Sequence, residues 1–159
     1  MATPELEPRR ALLEHALKLN PGYLLVMVNL GRTLVAQAEN DKGLEYLQRA
    51  ARLGANDAQI RYWYARTLYE VKRYPEANRE SAAAVRLAPK NGRGVYQAVL
   101  AAQAVGDHRE ALRLLDLADG LHPKTDEADF TRGFSLQQLG KQAEAIATYR
   151  AFLAGHPKH

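Results

Sequence analysis

A period of 34 residues runs along this 159-residue chain and limits its fold more than any other feature. Pro21, Ala55, Pro89, Pro123 and Pro157 lie on that period and end five helical segments. Other columns keep the same register: Gly31, Ala65, Val99 and Gly133; Leu34, Leu68, Ala102 and Leu136; Gly43, Ala77, Ala111 and Ala145. A fourth reads Ala16, Ala50, Ala84, Ala118 and Phe152, and a fifth Leu19, Leu53, Leu87 and Leu121. Small residues allow two helix backbones to approach closely. Proline is tolerated just past a helix end and stops the helix there. The leucine column is expected to fill the space between hairpins. A period of this length in helical sequence predicts a stack of helix pairs, an architecture that generally presents a binding surface.

The spacing predicts nine helices, near 8–19, 22–37, 42–53, 57–71, 75–87, 92–105, 108–121, 126–139 and 142–154. Ile60, Tyr64, Leu68 and Val71 recur at i, i+4, i+8 and i+11, the helical interval, and no alternation of period two competes with it. Asp107 with Glu110 predicts a capping box, Pro75 a first-turn proline and Thr125 an N-cap. Gly106 and Gly140 mark turns between paired helices. Short turns force neighbouring helices to pack antiparallel.

These columns resemble the tetratricopeptide repeat family. Leu30-Gly31, Leu34, Leu47, Ala50 and Leu53 carry the pattern first, then Tyr64-Ala65, Leu68, Tyr74, Ala77, Ala84 and Pro89. Val99, Gly106, Ala111, Leu115, Ala118 and Pro123 carry it a third time; Gly133, Leu136, Gly140, Ala145, Tyr149 and Pro157 a fourth. The resemblance implies an all-α, right-handed α-solenoid of helix-turn-helix repeats. Its expected division is a leading helix over 1–23, then repeats over 24–57, 58–91, 92–125 and 126–159, all in one domain. The chain departs from the pattern at Ala55, where proline is expected, at Arg61 and Asp129, where a large residue is expected, and at Phe152 in a small-residue column.

Each first helix has a second stripe about half a turn from its buried one, and the resemblance places that stripe on a concave groove. The ladders are then Val28, Tyr62, Tyr96, Phe130; Arg32, Arg66, Leu100, Phe134; Val35, Tyr69, Gln103, Gln137; and Leu25, Gln59, Arg93, Glu127. A solvated face is expected to be charged and small, yet this one carries five aromatics and three arginines. Tyrosine and arginine concentrate where proteins bind proteins. The expected partner-binding residues are Val28, Arg32, Gln59, Tyr62, Arg66, Tyr69, Arg93, Tyr96, Gln97, Phe130, Phe134 and Gln137. The expected partner is a protein or peptide segment, acidic or bearing a free carboxylate that arginine can grip. The alternative for the aromatics is packing of adjacent helices against one another. Arg66 can pair with Glu70 one turn on, and Trp63, the sole tryptophan, at the edge of the stripe, reads either as a binding hot spot or as an inter-repeat packing residue, with packing favoured.

Co-chaperone members of the family hold a terminal carboxylate with lysines and asparagines. At the matching positions stand Val28, Arg32, Trp63, Arg93 and Gln97, so that clamp is not matched. No catalytic triad, phosphate-cradling glycine loop or metal-ligand spacing is present. The histidines His15, His108, His122, His156 and His159 form no set, so no enzyme activity, metal or cofactor is expected. Asp126, Glu127 and Asp129 suit the first turn of a helix. Net charge is +4 and the pI about 9.4. Lys72 and Arg73, then Arg86, Lys90 and Arg93, are too sparse for a duplex-binding stripe, and nucleic acid is not expected as a partner.

With 47% apolar residues the chain can bury a continuous core. It has no cysteine, which fits a reducing compartment, and no run long enough to span a membrane. Met1-Ala2-Thr3-Pro4 lacks the order of a signal peptide, so the cytoplasm is the expected location. The last helix offers Ile146, Tyr149, Phe152 and Leu153, which points either to a longer array or to end-to-end pairing of two copies. The alternatives to a binding scaffold are a self-associating oligomerisation module, a secretion-type chaperone and an accessory domain of a larger enzyme.

Overall fold

The computed structural model describes residues 5–121 and 125–155. Pro123, Pro157, His122, His156 and His159 lie outside the described residues, as does the segment 1–4. Among the described residues there are nine helices and no strand. Five belong to a first compact unit, Met1–Ala88: α1 (Leu6–Leu19), α2 (Leu24–Ala36), α3 (Asn40–Leu53), α4 (Ala58–Glu70) and α5 (Tyr74–Leu87). Four belong to a second, Pro89–His159: α6 (Gly92–Ala104), α7 (His108–Asp119), α8 (Asp126–Gln138) and α9 (Gln142–Gly155).

The 34-residue period is written into the backbone as well as the side chains. Among the described residues, Ala38, Lys72, Gly106 and Gly140 have positive φ, at 64°, 64°, 79° and 75°. Each sits one residue past a helix C-cap. The next residue's N–H donates back to the helix: Glu39 to Leu34 O, Arg73 to Leu68 O, Asp107 to Ala102 O and Lys141 to Leu136 O, at 2.8–2.9 Å. These are Schellman turns, in which a left-handed residue lets two orphan carbonyls find donors. Glycine supplies that conformation freely at two of the four turns; alanine and lysine occupy it in the others.

Helix starts repeat too. Asp57 accepts from the N–H groups of Gln59 and Ile60, Asn91 from Gly94 and Thr125 from Ala128. Pro75 lies in the first turn of α5. Asp107 caps α7 by accepting from Glu110 N–H at 3.0 Å, but the capping box is only half made. The Asp107 N–H is already spent on Ala102 O, and the Glu110 carboxylate is drawn to Arg113 at 2.6–2.7 Å.

In the first unit Met27, Leu30, Leu34, Leu47, Ile60 and Leu68 are fully buried. Gly31 and Gly43 let α2 and α3 touch: a Cβ on Gly31 would stand 2.6 Å from Gly43 O. In the second unit Val95, Val99, Ala102, Ala111, Leu115, Leu136 and Ala145 form the core. Tyr64 and Leu68 are buried as the spacing predicts, whereas Val71, the C-cap of α4, is half-buried. The leucine column does not fill the space between hairpins. Leu19 is 75% and Leu53 59% exposed, and Leu87 is exposed as well. These three are the last residues of α1, α3 and α5, past the turn where the paired helices still face each other.

Candidate functional site

In the first unit the site is built from α2 and α4. The Arg32 guanidinium lies 3.7 Å from the centroid of the Trp63 ring, and that of Arg66 lies 5.5 Å from it. Tyr62 meets the same indole edge-on at 5.0 Å. Arg66 follows Tyr62 and precedes Glu70 by four residues, so one helix face holds all three. Its Nη1 donates to the Tyr62 hydroxyl at 3.3 Å and its Nε to Glu70 at 3.1 Å.

The two arginines differ in their electrostatics. Hydrogen bonds to Tyr62 and then Glu70 raise the Arg66 pKa above its ordinary value. Withdrawal from water lowers that of Arg32; Glu70 opposes the shift, while Arg66 and Arg9 add to it. Arg32 makes no ion pair or hydrogen bond among the described residues. The Trp63 face, by a cation–π contact, and the more distant charge of Glu70 compensate it in part. A guanidinium that is partly desolvated and has no ion pair keeps its N–H donors available to an anion.

The other expected residues of this unit take different positions. Val28 and Tyr62 are buried and lie under the surface, Gln59 is exposed at the start of α4, and Tyr69 is half-buried with its ring 5.2 Å from that of Tyr74. The contact that organises these residues is the one with Trp63, for which the sequence left a binding and a packing role both open. Its signal was available in spacing: Trp63 precedes Arg66 by three residues, and Arg32 and Arg66 occupy one column on neighbouring first helices.

In the second unit Arg93 is exposed on α6 and Tyr96 half-buried. Gln97 is buried, and its Nε2 has no hydrogen-bond partner. On α8, Phe130 (57% exposed) and Phe134 lie one turn apart, with Gln137 exposed beyond them. Their inner edges rest on other rings: Phe130 on Tyr149 at 5.8 Å and Phe134 on His108 at 5.7 Å. The ladder residue Gln103 is not free. Its Nε2 donates to Ser135 Oγ at 2.7 Å and Thr131 O at 2.9 Å, tying α6 to α8.

Among the described residues no group of three or more His, Asp or Glu side chains is placed to hold a metal ion, and no helix is long and apolar enough to cross a membrane.

No family model matches the chain, and no curated protein matches it in sequence. Solved structures do match in fold. YrrB, a TPR protein with an unusual peptide-binding site, superimposes with a TM-score of 0.84 at 19% identity, over 98% of this chain and 80% of that one. A crystal structure of MamA gives 0.84 at 18% identity, over 97% and 84%. MamA from residue 41 to its end, from Desulfovibrio magneticus RS-1, gives 0.83 at 16% identity, over 95% and 85%. The chain has the tetratricopeptide-repeat fold, an all-helical solenoid of helix-turn-helix repeats.

Proposed function

We propose that this tetratricopeptide fold serves as a protein-interaction scaffold or adaptor, binding a protein or peptide segment through its first-helix faces. The observation that carries the reading is Arg32: stacked on Trp63, partly withdrawn from water and without an ion pair among the described residues. With Arg66 beside it, this face suits an acidic side chain or a terminal carboxylate. In the second unit the exposed Phe130 and Phe134, with Arg93, Tyr96 and Gln137 in the same ladders, suit apolar and amide groups of a bound segment. In the first unit Val28 and Tyr62 support the binding face from beneath and Gln59 and Tyr69 flank it; in the second, Gln97 lies beneath the face. The peptide-binding site of YrrB is consistent with this use of the fold. The repeats are taken as 24–57, 58–91, 92–125 and 126–159, with 1–23 as the leading helix. The protein acts by binding, with no reaction of its own, and the cytoplasm suits a chain that has no cysteine.

Trp63 makes the test direct, because it is the sole tryptophan and lies in the site. Short acidic peptides, with free and with amidated C-termini, are titrated while indole emission is followed. The expected result is a saturable change that Arg32→Gln with Arg66→Gln abolishes while helicity is unchanged. Emission unaffected by any peptide, with capture of protein partners undiminished in the double variant, would move binding off this face.

A second reading rests on α9. Ala145 is its one buried residue among those described, and Ile146 and Leu153 are each about half-exposed. Such an apolar face favours self-association. Light scattering over a hundredfold concentration range tests it: a mass that rises with concentration and falls back in Ile146→Lys with Leu153→Lys supports pairing, and a constant monomer removes it.

A further inference from the structure

We propose that the first unit carries a second site, on the cleft between α3 and the α4–α5 hairpin, and that this site takes a phosphate monoester group. The cleft has a volume of about 370 Å³, and Arg52, Arg61, Tyr64, Arg79 and Glu80 line it with Ala55. It forms where two departures from the repeat pattern meet. Arg61 belongs to the column of Met27, Val95 and Asp129. Met27 and Val95 are fully buried and apolar. Arg61 is neither. Its Nη1 pairs with Glu80 at 2.6 Å and its Nε donates at 3.1 Å to the carbonyl of Ala55, the residue that stands where proline ends other repeats. The result is an open cleft with a polar lining.

The charges of the cleft do not cancel. Glu80 is neutralised by Arg61, and Glu76, also on the lining, is held by Arg73 at 2.6 Å. Arg52 and Arg79 have no carboxylate partner among the described residues, so two positive charges are left over. Tyr64 adds a hydroxyl with no hydrogen-bond partner among the described residues. Burial, and then the nearby Glu80 and Glu76, raise its pKa, so it remains a neutral donor. Two guanidiniums and a phenol O–H match a dianion with three acceptor oxygens, which a phosphate monoester supplies at neutral pH. One carboxylate would leave a guanidinium uncompensated. The volume lies at the small end of ligand sites, enough for a phosphate and a short stem.

The test is a titration of the full, isotope-labelled chain with N-acetyl-O-phosphoserine amide at constant ionic strength, followed by nuclear magnetic resonance. The expected result is saturable shifts centred on the amides of Arg52, Arg61 and Arg79. Arg52→Gln with Arg79→Gln weakens binding by roughly tenfold or more while the melting temperature holds. Arg61→Met, which restores the apolar column, abolishes binding in a folded chain. Inorganic phosphate is the second probe: weaker binding than the ester supports the assignment, and tighter binding overturns it in favour of the free ion. Shifts that stay linear, that chloride reproduces, or that persist in the double variant also overturn it.

Discussion

Arg32 on α2 rests its guanidinium on the indole of Trp63 on α4, 3.7 Å from the ring centroid. The contact joins two first helices within one unit and holds a charge at a partly dry surface. Cation–π pairs of this kind contribute about 0.5–2 kcal/mol. A double-mutant cycle of Arg32→Leu and Trp63→Leu, read by urea unfolding, is expected to give a coupling of about 0.5–1 kcal/mol. Additive losses would mean that the two side chains are neighbours without being partners.

Ala38 and Lys72 hold the left-handed conformation that Gly106 and Gly140 hold in the other two turns. Left-handed backbone disfavours a Cβ by about 1–2 kcal/mol, partly offset by the greater chain entropy that glycine loses on folding. Ala38→Gly and Lys72→Gly are each expected to stabilise the protein by about 0.5–1 kcal/mol. Gly106→Ala and Gly140→Ala are expected to destabilise it by a similar amount. The open space around both glycines leaves backbone conformation as the cause. Chemical denaturation midpoints of the four variants decide the matter, and a uniform sign across them would contradict it.

The period made the helices legible. Nine were expected and nine are found among the described residues, because the small-residue columns and the turn spacing fix one register. What stayed hidden was chemistry that breaks the column pattern. Ala38 and Lys72 gave no glycine signal, so their turns could be located but not their backbone. Leu19 and Leu53 read as core because they recur, yet they fall at helix ends where nothing packs over them. Arg32 and Arg66 stood out as a basic pair in one ladder. Trp63 stood out as the sole tryptophan, but its role stayed open, since its column otherwise holds Asn29, Gln97 and Thr131. Nor did sequence separate Tyr62, which is buried, from Phe130, which is exposed, although both share a ladder.

Gly31 and Gly133 occupy one column but differ in what a side chain would strike. A Cβ on Gly31 meets the backbone carbonyl of Gly43 at 2.6 Å and the Leu47 side chain. A Cβ on Gly133 has as its nearest neighbours atoms of the Tyr149 ring, a side chain on the half-buried side of α9 that can swing aside. Gly31→Ala is therefore expected to cost about 2–3 kcal/mol and Gly133→Ala about 1 kcal/mol or less. Thermal melts of both, with Tyr149→Ala added to the second, check the reason: the added change is expected to relieve Gly133→Ala of its clash.

Glu39 makes the attachment of α1 sensitive to acid. The helix α1 has no fully buried residue; half-buried Leu13, Ala16 and Leu17, together with polar contacts, hold it. Arg10 reaches Glu39 and Gln37, and Gln37 donates to Glu7 at 2.9 Å. Hydrogen bonds from Lys42, and then Arg10, hold the Glu39 carboxyl below its ordinary pKa. A carboxylate lowered in the folded state contributes stability above its unfolded pKa, about 4.3 for glutamate, and loses it as pH falls through the folded value. The amides of α1 are therefore expected to lose exchange protection, corrected for intrinsic rates, as the pH drops below about 4, before those of α2 and α3. Glu39→Gln is expected to show the weaker protection already at pH 7 and little further change on acidification. Equal protection of α1 at neutral and acid pH in the native chain would show that the helix is held by something other than this carboxylate.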